Sequence, residues 1–150
     1  MSIFKPKTLE PTSIPDPMFL DIALKEIGVK EIPGKGHNSK IVEYHSHTKL
    51  KATEDEVPWC SSFVNYCIDK AGYRGTGSAM ARSWLNWGHP SAFRRGAIVI
   101  FERGNPPNGH VALCLRDLGN EIEVVGGNQS DSVCIARYPK SRVLGYRWVV

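Results

Sequence analysis

A chain of 150 residues is the size of one ordinary domain. At that length folding removes roughly two-thirds of the unfolded surface from water, so no disulfide or metal is needed to hold the fold. With 41% hydrophobic and 23% charged residues, wholesale disorder is excluded.

The formal charge of +4 and a pI near 8.9 favour anionic surfaces without choosing among them. The basic residues are scattered, densest at Arg94-Arg95 and at Arg137, Lys140, Arg142 and Arg147, so a nucleic-acid partner is not expected. The four cysteines, Cys60, Cys67, Cys114 and Cys134, show no CxxC spacing, which argues against structural zinc. Residues 1–7 lack the apolar core of a secretory signal, and no apolar run approaches membrane-spanning length. The expectation is synthesis in the cytoplasm without a signal peptide, and no membrane insertion.

Residues 1–17 carry Pro6, Pro11, Pro15 and Pro17 and read as an extended arm. The remaining residues, 18–150, are expected to form a single domain. Asp16 is placed to cap a helix starting at Pro17, with an apolar stripe of Leu20, Ala23, Leu24 and Ile27 and a stop at Gly28. After a Pro/Gly loop at 32–36, Asn38 or Ser39 caps a short helix with Ile41, Val42 and Tyr44. A third helix is predicted from about Pro58 to Ala71, buried through Phe63, Val64, Cys67, Ile68 and Ala71 and ended by Gly72. A fourth spans about 78–87. Beyond Gly96 the period shortens. Strands are predicted at 97–101, 110–116, 121–125, 133–138 and 143–149, with a loop at 104–109. Helices first and antiparallel strands second describe an α+β domain of two layers.

Cys67, Cys114 and Cys134 lie in apolar runs and read as small buried hydrophobes. Cys60 stands in the first turn of the third helix, where unpaired N–H groups and the helix dipole lower a thiol's pKa. The N–H groups of Cys60 and Ser61 are also placed to hold an oxyanion. His110 opens a strand after a glycine loop, a position suited to a general base. If Asp117 pairs with Glu121, Asn128 falls opposite His110. A two-residue turn at Gly119-Asn120 puts Gln129 there instead. Either amide could fix the imidazole tautomer, the third role of a Cys-His-Asn arrangement. A zinc site built from His45 or His47 with His110 is the lesser alternative. Trp59, Trp84 and Trp87 are candidates to line a cleft, against a reading as core aromatics.

Four blocks carry a resemblance: Pro58-Trp59-Cys60-Ser61-Ser62-Phe63-Val64, Gly96-Ala97-Ile98-Val99, Gly109-His110-Val111-Ala112 and Gly126-Gly127-Asn128-Gln129. In this order and spacing they resemble the NlpC/P60–CHAP superfamily of papain-like peptidoglycan hydrolases, and among them the compact phage endolysins. The resemblance implies a cysteine-bearing helix packed on a histidine-bearing antiparallel sheet. It implies Cys60 as nucleophile, His110 as base and Asn128 as orienting residue, with Ser61, Glu56 and Gln129 near the site. Many members carry a glutamate two positions before that asparagine; here the position is Gly126. The aspartate cluster with which some members bind calcium is not evident, so neither cofactor nor metal is expected. The implied function is cleavage of amide bonds in bacterial cell-wall peptides, as an endopeptidase or an N-acetylmuramoyl-L-alanine amidase. The expected partner is bacterial peptidoglycan, met by a monomer in the periplasm or wall after holin-type release. Delivery as an antibacterial toxin, with an immunity partner, is the alternative, beside a papain-like acyltransferase or a catalytically dead wall-binding module.

Overall fold

The computed structural model describes residues 15–32, 37–49, 59–106 and 108–149. The expected arm at 1–14, the helix start at Pro58 and the carboxylate of Glu56 lie outside the described residues. Three helices, α1 (Met18–Lys25), α2 (Ser39–His45) and α3 (Cys60–Lys70), precede a sheet of β1 (His89–Ser91), β2 (Ile98–Glu102), β3 (Gly109–Asp117), β4 (Glu121–Gln129), β5 (Ser132–Pro139) and β6 (Val143–Trp148). The six strands form one sheet in the order β1-β6-β2-β3-β4-β5, with antiparallel neighbours throughout. This is an α+β fold.

Binary patterning explains the layers. One face of the sheet, through Ile98, Ile100, Val111, Leu113 and Val125, packs with Phe19, Leu20, Ile41, Tyr44, Phe63, Val64 and Ile68 of the helices. The alternate residues Val99, Phe101, Ala112, Cys114, Ile122 and Val124 form a second cluster closed by Tyr138, Val143 and Tyr146. Because the strand period is two, β2, β3 and β4 read as nearly continuous apolar runs: both their faces are covered. α3 is buried from Cys60 to Ile68, its polar Ser61, Ser62 and Asn65 included, and those polar groups find partners. Asn65 Nδ2 donates to the Ser78 carbonyl at 3.1 Å while its Oδ1 accepts from the Gly77 N–H at 2.9 Å.

Three local expectations give way to tertiary contacts. Asn38 does cap α2, its side chain accepting from the Lys40 N–H at 2.8 Å, but Asp16 does not cap α1. Its carboxylate instead takes a two-pronged bond from Arg95 at 2.7 and 3.1 Å, and Pro17 holds the N-cap position without a side-chain bond. The fourth helix is a 3-10 segment, Ala81–Asn86; Trp84 is drawn fully into the core, and its indole N–H donates to Ser61 Oγ at 2.9 Å. Strand β1 is an addition. Pro90 lies within it, which the sheet tolerates because β1 is an edge.

The β3–β4 hairpin decides where the site's third residue sits. At the turn, Asp117 pairs with Ile122 and Arg116 with Glu123, the register of a two-residue Gly119-Asn120 turn. Past an irregularity at Leu115 the pairs become Cys114–Val124 and Leu113–Val125, the other register. A bulge therefore switches one alignment into the other within a single hairpin. Farther along, β4 loses step with β5 between Gly126 and Gln129, and Asn128 takes a left-handed φ of 58°, a conformation asparagine tolerates better than most residues. Gly127 is required by close approach. A Cβ there would lie 2.7 Å from two ring atoms of Trp59 and 2.8 Å from Phe63 Cβ. Gly127→Ala is expected to destabilise the fold by about 1–3 kcal/mol through overpacking, read as a lower urea midpoint at unchanged slope. An unchanged midpoint would refute that packing.

Candidate active site

The first turn of α3 lies against β3. The Cys60 sulfur is approached by the backbone N–H of Val111, the residue after His110, and by the N–H groups of Ser61 and Cys60 itself. His110 stands at the head of β3, opposite Phe101 of β2. Its ring stacks on Phe101 at 6.3 Å and tilts against Tyr138 at 5.2 Å. The two sequence candidates are thus brought to one end of the same strand. No hydrogen bond joins them among the described residues, and both are covered: Cys60 is 5% exposed and His110 0%. Catalytic contacts of this kind are commonly long before substrate binds.

The imidazole is oriented by Gln129. His110 Nε2 lies 2.8 Å from Gln129 Oε1, and the other end of that amide, Nε2, donates to the Cys134 carbonyl at 2.7 Å. Because that carbonyl can only accept, the amide nitrogen must face it, which turns Oε1 to the ring. An amide oxygen also only accepts, so the proton of the neutral imidazole is on Nε2 and the lone pair on Nδ1. The Tyr138 hydroxyl donates to the same Oε1 at 3.2 Å and lies 3.4 Å from His110 Nε2. Nδ1 is buried without a hydrogen-bond partner among the described residues. A buried basic nitrogen left unpaired costs free energy in the resting fold, and it is the atom a general base would use.

The electrostatics differ from the sequence expectation for Cys60. Burial pushes its thiol above the usual value, and this outweighs the Val111 N–H, the Arg103 charge and the N–H groups of Ser61 and Cys60, all of which favour the thiolate. Desolvation wins over the helix terminus because the sulfur is taken out of water. Burial also lowers His110 to about 4, against the bond from Gln129, with Arg103 and Arg142 adding to the decrease. At neutral pH the resting pair is therefore a neutral thiol and a neutral imidazole. Iodoacetamide is expected to alkylate Cys60 slowly at pH 7 and increasingly fast above pH 9, followed by peptide mass spectrometry. A rate already at its plateau at pH 7 would show that an ion pair forms in solution.

The remaining candidates separate. Gln129 rather than Asn128 contacts His110, because the irregularity of β4 between Gly126 and Gln129 and the left-handed turn at Asn128 carry the chain one residue past the register extrapolated from the hairpin. Ser61 offers its N–H toward the sulfur, while its hydroxyl donates to the Ser78 carbonyl at 2.7 Å. Trp59 and Trp84 are fully buried and do not line a cleft. Trp59 stacks on Tyr44 and donates to Glu31 at 2.7 Å. Trp87 is half-buried, packed edge-on against Trp84, and donates to the Arg74 carbonyl. Sequence reasoning missed Tyr138 and the Cys134 carbonyl. Both enter from β5, whose pairing with β4 no local pattern announces. The histidines of the zinc alternative are engaged elsewhere: His45 Nδ1 meets Ser62 Oγ and His47 Nδ1 meets Asp69, both at 2.8 Å. No group of potential metal ligands occurs among the described residues.

The sequence matches the CHAP domain family over residues 52–128, more than half of the chain. The chain belongs to the CHAP domain family. The matched segment carries α3, β2, β3 and most of β4, so Cys60 and His110 both fall within it. The helices on an antiparallel sheet are its α+β, papain-like fold. CHAP domains are typically hydrolases that act on peptidoglycan as amidases or peptidases, and the match points to that activity class for the chain. No curated protein matches it.

Proposed function

We propose that this CHAP domain is a cysteine hydrolase that cuts amide bonds of bacterial cell-wall peptides with Cys60 as nucleophile, His110 as base and Gln129 as the residue that orients the base. One observation carries the reading. The Cys134 carbonyl fixes the Gln129 amide, which fixes the imidazole tautomer and leaves basic Nδ1 buried, with no hydrogen-bond partner among the described residues, at the head of the strand against which the Cys60-bearing α3 packs.

His110 Nδ1 takes the thiol proton as sulfur attacks the substrate carbonyl, and the C–S bond forms as the carbonyl π-pair moves onto oxygen. The N–H groups of Cys60 and Ser61 hold that oxyanion. Collapse expels the amine, which takes the proton from the imidazolium. Water, deprotonated by the same nitrogen, then attacks the thioester, and its collapse returns the free acid and the thiol. The positive charge on the ring between these steps is stabilised at Nε2–H by Gln129 Oε1. The biological setting is a phage lysis enzyme acting as a monomer on the wall after release from the cytoplasm, a placement supported by the resemblance of the sequence blocks to compact endolysins.

Incubation with purified peptidoglycan tests the chemistry. The expected result is release of new amino groups by the wild type and none by Cys60→Ala. Mass spectrometry of the fragments distinguishes a stem-peptide cut from a cut at the glycan–peptide amide. The near-complete cover of Cys60 and His110 favours a second reading, a wall-binding module without catalysis. It predicts that wild type and Cys60→Ala both sediment with peptidoglycan and that neither releases amines.

A further inference from the structure

Three arginines surround the end of the sheet that carries His110, and two are tied down. Arg82 Nε donates to the Asn108 carbonyl at 2.6 Å. Arg142 donates twice to the Glu102 carbonyl, at 3.2 and 2.8 Å. Arg103 differs. It follows the last residue of β2, two positions beyond Phe101, whose ring covers His110. It is exposed, and it makes no hydrogen bond or ion pair to any described residue. β2 pairs Phe101 with His110 and Glu102 with Gly109, so Arg103 continues the chain at the rim of the sheet end that carries His110; its charge acts on Cys60, His110 and Tyr138 alike.

A guanidinium presents a planar fork of donors that matches a carboxylate in two-pronged geometry. A free fork at the rim of a nucleophile–base pair is a recognition element awaiting an anion. The same cation opposes protonation of His110, which the reaction requires. An anion docked on Arg103 would neutralise that opposition when substrate is present.

We propose that Arg103 binds a free carboxylate of the substrate adjacent to the scissile amide, so that the enzyme selects acidic peptides over their carboxamide forms. This rests on the hydrolase reading above and adds to it the chemical class of the substrate. Arg82 and Arg142, held by backbone carbonyls, shape the rim without competing for the anion. Docking there brings the scissile carbonyl to Cys60 and lets the ring accept a proton, so the preference is expressed in both KM and kcat.

The experiment uses two synthetic cell-wall peptides that differ only in a carboxylate or a carboxamide beside the cleaved bond, with the full chain and its Arg103→Gln and Arg103→Lys variants. A charge-assisted bond of this kind corresponds to roughly a 10–100-fold effect. Wild type is expected to favour the acid peptide by that factor in kcat/KM, Arg103→Gln to lose the preference, the ratio of the two rates falling to about one, and Arg103→Lys to recover part of it. Equal rates on both peptides for the wild type, or an Arg103→Gln loss of the same size on both, would overturn the assignment and leave the hydrolase reading standing. If neither peptide is cleaved, the hydrolase reading fails. Calorimetric titration of the same two peptides then decides the arginine: tighter binding of the acid that vanishes in Arg103→Gln supports it, and equal binding overturns it.

Discussion

Cys60→Ala and His110→Ala are each expected to lower amide cleavage by about 10⁴-fold or more, and the double variant to lose no more than the worse single one. In the proposed reaction the two side chains act on one proton and one carbonyl. Without the sulfur there is no acyl-enzyme for the imidazole to assist. Without the imidazole the thiol has no acceptor for its proton, and burial already holds that thiol above its usual pKa. The loss at His110 should therefore exceed that in an enzyme whose cysteine is a resting thiolate, and raising the pH should recover part of it. Gln129→Ala should cost less, because it removes the ring's orientation and not a reacting atom, while Asn128→Ala should leave the rate nearly unchanged. Progress curves of amine release on purified peptidoglycan check all four. Additive losses in the double variant would show that Cys60 and His110 do not serve one reaction, and a Gln129→Ala rate equal to wild type would remove Gln129 from the site.

Most of the scaffold was legible because it rests on local chemistry. The apolar stripe, the Gly72 stop and the first-turn cysteine mark α3. The shift to period two after Gly96, with the Gly/Pro/Asn loop at 104–109, marks the β2–β3 hairpin and puts His110 at a strand head. What the sequence concealed are distances across the fold. The switch of register at Leu115 is a property of two strands together, and both alignments drawn from the turn are present, one on each side of the bulge. That is why Asn128 and Gln129 could not be ranked by counting. Trp59 and Trp84 could be read as cleft or core because both uses want a large aromatic ring with a polar edge; only their partners, Glu31 and Ser61, separate the two. The pKa of Cys60 follows the same logic. A helix terminus is visible in sequence, whereas the desolvation that overrides it depends on how strands and helices close over the sulfur.

The fold is expected to lose stability below neutral pH through His110, by an amount on the order of 3 kcal/mol between about pH 6.5 and pH 4. The sign follows from the burial of a neutral ring. In the unfolded chain the imidazole takes a proton near its ordinary value of 6.5, while in the folded protein it resists until about 4. Across that window the unfolded state binds one more proton than the native state, so unfolding free energy falls as pH falls, with a slope approaching 1.4 kcal/mol per pH unit from this group. Above about pH 6.5 both states hold the ring neutral and the contribution is complete. His110→Gln keeps a planar polar side chain without a titrating nitrogen. Urea unfolding at intervals from pH 4 to 7.5 should give a shallower slope for this variant than for wild type, by close to one proton at the middle of the window, whatever its absolute stability. Carboxylates titrating in the same range contribute equally to both proteins and cancel in the difference. Parallel slopes would mean that the ring is protonated in the native state at mild acidity. The neutral tautomer pinned by Gln129 and Cys134, on which the proposed chemistry depends, would then not be the resting form.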